Sequence, residues 1–186
     1  RALEQLGRGS FFSPRMMDRT ADIERHVEEV IAAVEELSRY RIGALIVWRR
    51  ETGIDDYSEI GIDIDAAISS ELLISIFTPN TPLHDGAVII SRGRIHRAGA
   101  FLPLSDNPNL EKSLGTRHRA AVGISEVSDA LAIVVSEETG RVGLAKDGVL
   151  TRSIDSGALK GILLRELRDQ YPRKQTIWRK REVRHE

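Results

Sequence analysis

The stretch Thr81–Leu104, "TPLHDGAVIISRGRIHRAGAFLPL", decides the fold. "AVIIS", residues 87–91, is a short unbroken apolar run, the pattern of a buried strand. "RIHRAGAFLPL", 94–104, reads as a second strand, with Ser91-Arg-Gly-Arg94 as the turn between them. Directly before the first strand stand two ionisable side chains, His84 and Asp85. Asp85-Gly86 is a tight-turn dipeptide, and Pro79 and Pro82 restrict the chain ahead of it. Two readings stay open. Asp85 is a turn residue bonded to its own backbone, or it is a carboxylate placed at a strand mouth for chemistry, beside a potential metal ligand, His84.

Outward from this stretch the periods change. In "ADIERHVEEVIAAVEELSRYRIG" the apolar Ile23, Val27, Val30, Ile31, Val34 and Leu37 recur at helical spacing, with Gly43 beyond the expected end. "ALIVW", 44–48, is a buried strand. "DIDAAISSELLISIF", 63–77, reads as a second helix, stopped by Pro79. "TRHRAAVGISEVS" opens a helix near Thr116, "ALAIVVSEE" is a strand, and "VGLAKDGVLTRSI" is a hairpin turning at Asp147-Gly148. "SGALKGILLRELRDQY" is a closing helix capped by Ser156 and ended by Pro172. Helices before, between and after strands indicate an α/β fold: one globular domain with a central mixed β-sheet and helices on both faces. The expected organisation is an N-terminal arm over 1–19, with Phe11-Phe12 docking on something, a single globular domain over 20–172 and a basic tail over 173–186.

Composition narrows the function classes. A formal net charge of -1 over 186 residues gives no basic field for nucleic acid. The absence of cysteine removes disulfides, thiol catalysis and cysteine zinc sites. No apolar run approaches a membrane span, and no signal peptide is visible. The chain opens on Arg1 rather than Met, as a fragment would.

Three further segments carry candidate chemistry. In "LGTRHRAAV", 114–122, Thr116 is a plausible N-cap, which puts Arg117, His118 and Arg119 in the first helical turn. Cations are disfavoured there, because the helix N-terminus is already partly positive. An anion removes the conflict. Free N–H groups, the Thr116 hydroxyl and two guanidinium forks suit phosphate, and Gly115 lets the backbone approach. The alternative is a solvated or ion-paired basic patch. In "VVSEETG", 134–140, carboxylates follow a buried strand, either as a polar hairpin end or as groups near a divalent ion or a ribose. Phe101 is either core or a flat surface for a purine. His26, His96 and His185 read as structural or solvated.

Taken together and in order, "NTPLHDGAVII", "LPLSDNPNL", "LGTRHRAAVGISEVSDALAIVVSEETG" and "VGLAKDG" resemble the diadenylate cyclase family, more narrowly its membrane-anchored CdaA type. The resemblance spans roughly residues 4–170. It implies the diadenylate cyclase fold and condensation of two ATP into cyclic di-AMP with release of two pyrophosphates, assisted by Mn²⁺ or Mg²⁺. It implies that Asp85 of Asp85-Gly86-Ala87 is catalytic, and that Thr116, Arg117, His118 and Arg119 bind the ATP phosphates. Phe101 stands where many relatives have a tyrosine that stacks on adenine, and Leu102 offers backbone hydrogen bonds. Ser136, Glu137 and Glu138 line the site, with His84, Asp85 and Glu138 as metal ligands. The resemblance further implies a homodimer, a membrane-bound regulator and a phosphosugar mutase as partners. It places the full-length protein on the cytoplasmic side of the membrane, with the present chain a soluble piece. Two other functions remain open for such a domain: a nucleotide sensor that does not cyclise, and a metal-dependent phosphohydrolase using Asp85 and Glu138.

Overall fold

A computed structural model describes residues 14–57, 61–111 and 113–168. The elements are α1 (Pro14–Arg39), β1 (Ala44–Trp48), a 3₁₀ turn (Asp55–Tyr57), β2 (Ile62–Ala67), α2 (Ser70–Phe77), β3 (Ala87–Ser91), β4 (Arg94–Ala100), α3 (Thr116–Val127), β5 (Leu131–Val135), β6 (Val142–Lys146), β7 (Val149–Arg152) and α4 (Ser156–Arg168). The strands form one seven-stranded sheet in the order β2-β4-β3-β1-β5-β6-β7. Only β1 and β3 pair in parallel, and the other five pairings are antiparallel, so the sheet is mixed as expected.

Burial on both faces explains the unbroken apolar runs of β1, β3 and β5. Along β1, Ala44, Ile46 and Trp48 join a core with Val27, Val34, Phe77 and Leu163, from α1, α2 and α4. The alternate residues Leu45 and Val47 join a second core with Ala121, Val122 and Ile124 of α3. The period of two in each strand therefore feeds two cores, and helices cover both faces. Both hairpin turns are of the kind that needs two left-handed residues: Arg92-Gly93 at φ 52° and 72°, and Asp147-Gly148 at φ 52° and 75°.

The structure corrects several local expectations. α1 begins at Pro14, so 14–19 is helix rather than arm; proline is favoured in a first turn, where its missing N–H has no helical partner to lose. Residues 1–13 with Phe11-Phe12, and 169–186 with Pro172, His185 and the basic tail, lie outside the described residues. "DIDAA" is strand β2, not the start of a helix. Its acids are answered across the sheet: Asp63 meets Arg97 at 2.8 Å and Asp65 meets Arg94 at 2.5 Å. A register shift between Asp63 and Ala66, with Asp65 at φ 46°, bends this edge strand. α2 then starts afresh, capped by the Ser69 hydroxyl, which accepts from Leu72 N–H at 3.2 Å. β4 ends at Ala100, leaving 101–104 outside the strand. β5 ends at Val135, leaving Ser136–Glu138 as the turn that follows. The cap of α4 is Asp155, whose carboxylate accepts from Ala158 N–H at 2.9 Å, and Ser156 is the first helical residue.

Candidate active site

Register alone gathers the candidate residues. Ala44 pairs with Val135, Val135 with Val142, Gly143 with Arg152, and Ala87 with Ala100. Because β1 and β3 run parallel, Gly43, Asp85-Gly86, Phe101, Ser136, Arg141 and Arg152 all fall at one end of the sheet. The N-terminus of α3, which packs on β5, β6 and β1, contributes the Arg-His-Arg segment.

A cavity of about 220 Å³ opens there, lined among others by Gly115, Thr116, Arg117, His118 and Ser136–Thr139. The cap of α3 is Gly115 in extended backbone with no side-chain cap bond, and Thr116 is the first helical residue. This corrects the expected Thr116 cap, and it leaves that hydroxyl at the cavity instead of tied to the helix. The Arg117 guanidinium joins two parts of the site. Its Nη1 donates to Glu137 Oε2 at 2.8 Å, and its Nη2 donates to the His84 carbonyl at 3.3 Å, on the loop that carries Asp85. Arg117 Nε is buried and has no acceptor. Gly43 makes room for this arrangement: a Cβ there would sit 2.7 Å from both Arg117 Nη1 and Glu137 Oε2. His118 is pushed below its ordinary pKa by burial and then by the positive charge of Arg152, against a smaller opposing pull from Glu138. Both causes favour the neutral imidazole.

The other candidates are not among the residues that line this cavity. Asp85 is exposed and His84 half-buried. Gly86 sits at φ 108°, and a Cβ on it would lie 2.8 Å from the Ala100 carbonyl oxygen, so only glycine lets the loop cross the end of β4. Ala87 is fully buried in the core on the α3 face. Phe101 is 54% exposed, which removes the reading of it as core and leaves its ring free for a flat ligand. Leu102 is half-buried against the core on the α3 face. Arg119 is not among the residues that line the cavity. Its Nη1 donates to the Ser105 carbonyl at 3.4 Å, and its own carbonyl accepts from Ser105 N–H at 3.0 Å. It ties the 101–106 segment to α3. Arg141 and Arg152, which the motifs of the sequence do not single out, do line the cavity. The signal for Arg152 is the hairpin: counting onward from Asp147-Gly148 sets it beside Gly143.

Among the described residues no three His, Asp or Glu side chains come together as a metal cage. The Nδ1 of His84 lies 2.5 Å from the Thr81 carbonyl, which can only accept, so Nδ1 carries a proton, and in the neutral tautomer Nε2 is the nitrogen with a lone pair. A divalent ion here would take most of its oxygen ligands from phosphate and water, as ions bound together with a nucleotide do.

Fold and cavity define an α/β domain with a cationic recess at one end of its sheet. The family model "DAC: DisA bacterial checkpoint controller nucleotide-binding" matches residues 31–150, and the chain belongs to that family. It is 53% identical over 168 residues to the cyclic di-AMP synthase CdaA of Bacillus subtilis, covering 90% of this chain and 62% of that protein. It is 54% identical over 184 residues to a diadenylate cyclase of Listeria monocytogenes, covering 97% and 66%. The chain thus spans just under two thirds of the length of these relatives. A crystal structure of DacA from Staphylococcus aureus, a double cysteine mutant, superposes with a TM-score of 0.76 at 53% identity, over 78% of this chain and 97% of that one. A Bacillus cereus protein described as hypothetical and membrane-spanning gives a TM-score of 0.67 at 43% identity, over 69% of this chain and 63% of that one. Among the described residues no helix is long and apolar enough to cross a membrane.

Proposed function

We propose that this domain is a diadenylate cyclase, condensing two ATP into 3′,5′-linked cyclic di-AMP with release of two pyrophosphates. The observation that carries the reading is Arg117, whose guanidinium links the cationic cavity to the Asp85 loop and keeps a buried N–H without an acceptor. A triphosphate held by Arg117 and the α3 N-terminus lies next to the carboxylate that must act on a ribose hydroxyl. The names of the relatives, cyclic di-AMP synthase and diadenylate cyclase, agree with it.

In this reading Phe101 stacks on adenine. The Thr116 hydroxyl, the free N–H groups of α3 and Arg117 hold the phosphates. Asp85 accepts the proton of the attacking 3′-hydroxyl. That oxygen bonds to the α-phosphorus of the other nucleotide, the bond to the β-phosphate oxygen breaks, and pyrophosphate leaves. Each product bond consumes one 3′-hydroxyl and one α–β bridge. His84 Nε2, Asp85 and Glu138, which do not close into a cage by themselves, are the residues that would contribute to holding Mn²⁺ or Mg²⁺, with phosphate oxygens completing the set; the ion would supply charge neutralisation and a more acidic hydroxyl. Catalysis belongs to two facing chains, each presenting one ATP. In the full-length protein the domain works at the cytoplasmic face of the membrane, where a membrane-bound regulator and a phosphosugar mutase are its partners.

The test is incubation with ATP and Mn²⁺, followed by mass spectrometry of the nucleotides. Cyclic di-AMP supports the proposal. Bound ATP without product would make the domain a sensor, and ADP with phosphate a phosphohydrolase.

A further inference from the structure

The residues that line the cavity include Arg117, Arg141 and Arg152 together with Glu137 and Glu138. Arg152 reaches it from the last position of β7, far along the chain from the Arg-His-Arg segment. Its partner is not part of the lining. Arg152 Nη1 pairs with Glu111 Oε1 at 2.6 Å, on the loop that leads into α3. Glu111 also accepts from the Ser113 hydroxyl at 3.3 Å. The pair is open to solvent, with side chains 43% and 63% exposed, so either partner can be exchanged at small cost. Arg152 also acts on the cavity at a distance, since its charge helps to keep His118 neutral. Arg119, the other arginine expected at the phosphates, is not in the cavity lining, and its Nη1 donates to the Ser105 carbonyl at 3.4 Å.

We propose that Arg152 is the second phosphate-binding arginine of the cavity, and that Glu111 is a stand-in carboxylate which the phosphate chain of the nucleotide displaces. The inference rests on the nucleotide reading of this cavity. The ligand class is a polyphosphate. Glu111 holds the guanidinium of Arg152 toward the cavity mouth while the site is empty. It competes with the ligand for the same donors, so removing its charge helps binding. A purely structural ion pair behaves in the opposite way.

The test is calorimetry at low salt with α,β-methylene ATP, inorganic triphosphate and adenosine as separate probes. Arg152→Gln is expected to weaken both phosphate-bearing probes by about tenfold or more and to leave adenosine unchanged. Glu111→Gln is expected to tighten both by about two- to fivefold, a direction that misfolding cannot produce. The double variant should match Arg152→Gln alone. Unchanged affinity in Arg152→Gln, or weaker binding in Glu111→Gln, overturns the assignment while leaving the nucleotide site intact. Arg152-dependent binding of triphosphate without binding of the ATP analogue would sink the nucleotide reading and keep Arg152 as an anion ligand. A wild-type chain that binds neither phosphate probe overturns both.

Discussion

At the scale of single residues the site separates binding from chemistry. Arg117 has two N–H contacts within the protein and one buried N–H without an acceptor. Arg117→Ala should therefore weaken ATP binding by about 10- to 100-fold, the range of a charge-assisted bond. Phe101→Tyr should change it by less than about threefold, because the exposed ring keeps its stacking face. Calorimetry on the two variants checks this, and equal affinities would remove Arg117 from the phosphates. Asp85→Asn keeps the size of the side chain and loses its basicity. It should abolish cyclic di-AMP formation with ATP binding retained, whereas near wild-type turnover would return Asp85 to an ordinary turn residue. His118 reports on the cavity field. Burial and the charge of Arg152 both lower its pKa, so the folded protein resists its protonation. The unfolded chain then binds more protons as pH falls below the ordinary histidine value, about 6.5, and His118 costs stability on acidification. Removing Arg152 takes away one cause. In Arg152→Gln the imidazole resonances of His118 should titrate at higher pH than in wild type, and an unshifted or lower midpoint would place Arg152 too far away to matter.

At the scale of elements, α4 is fastened to the sheet by charge as well as by Leu159, Leu163 and Leu167. Glu166 meets Lys146 of β6 at 2.8 Å and Arg50 at 3.6 Å. The hydrogen bond from Lys146 holds the Glu166 carboxyl below its ordinary range, with Arg50 and Arg165 adding to the effect. A depressed carboxylate contributes stability that is present above its unfolded pKa and lost as pH falls through the folded one. Glu166→Gln should thus lower Tm at neutral pH and flatten the acid limb below about pH 4.5. Solvent screening limits the loss to about 1 kcal/mol or less. An unchanged acid limb in thermal melts would show that the cluster is idle. None of this was legible in the sequence, because Arg50, Lys146 and Glu166 meet only across the fold. The strands were legible for the converse reason: "ALIVW", "AVIIS" and "LAIVV" are apolar at every position that two-sided burial demands. "DIDAA" was not, since its alternation is short, it leads straight into the α2 run, and its true partners, Arg94 and Arg97, sit on another strand. The cap of α4 was misplaced by one residue because Asp155 and Ser156 are both good caps. The cationic turn of α3 was legible through its conflict with the helix dipole. The diversion of Arg119 to Ser105 was not, because it depends on how 101–106 folds back.

At the scale of the whole molecule, the product of the proposed reaction sets a requirement that one chain does not meet. Cyclic di-AMP contains two AMP units joined by two equivalent phosphodiester bonds. Each bond needs a 3′-hydroxyl from one nucleotide and an α-phosphate from the other. A single chain offers one Asp85 and one Arg117. Asp85 is exposed, and Phe101 and Leu104, 54% and 51% exposed, stand on the segment that follows β4. Two chains facing across a two-fold axis would present two ATP in the symmetry of the product, and alignment would then replace a chance encounter of two bound nucleotides. Specific activity should therefore rise with protein concentration and level off when the pair saturates. Leu104→Glu puts a charge on that face without touching the cavity lining. It should keep ATP affinity within about twofold of wild type, as surface changes away from a site usually do, and stop cyclisation. Mixing it with Asp85→Asn chains should not restore activity, because each pair still lacks a clean face or a carboxylate. Activity per chain that stays constant through dilutions where sedimentation finds only monomers would rule out the two-chain site.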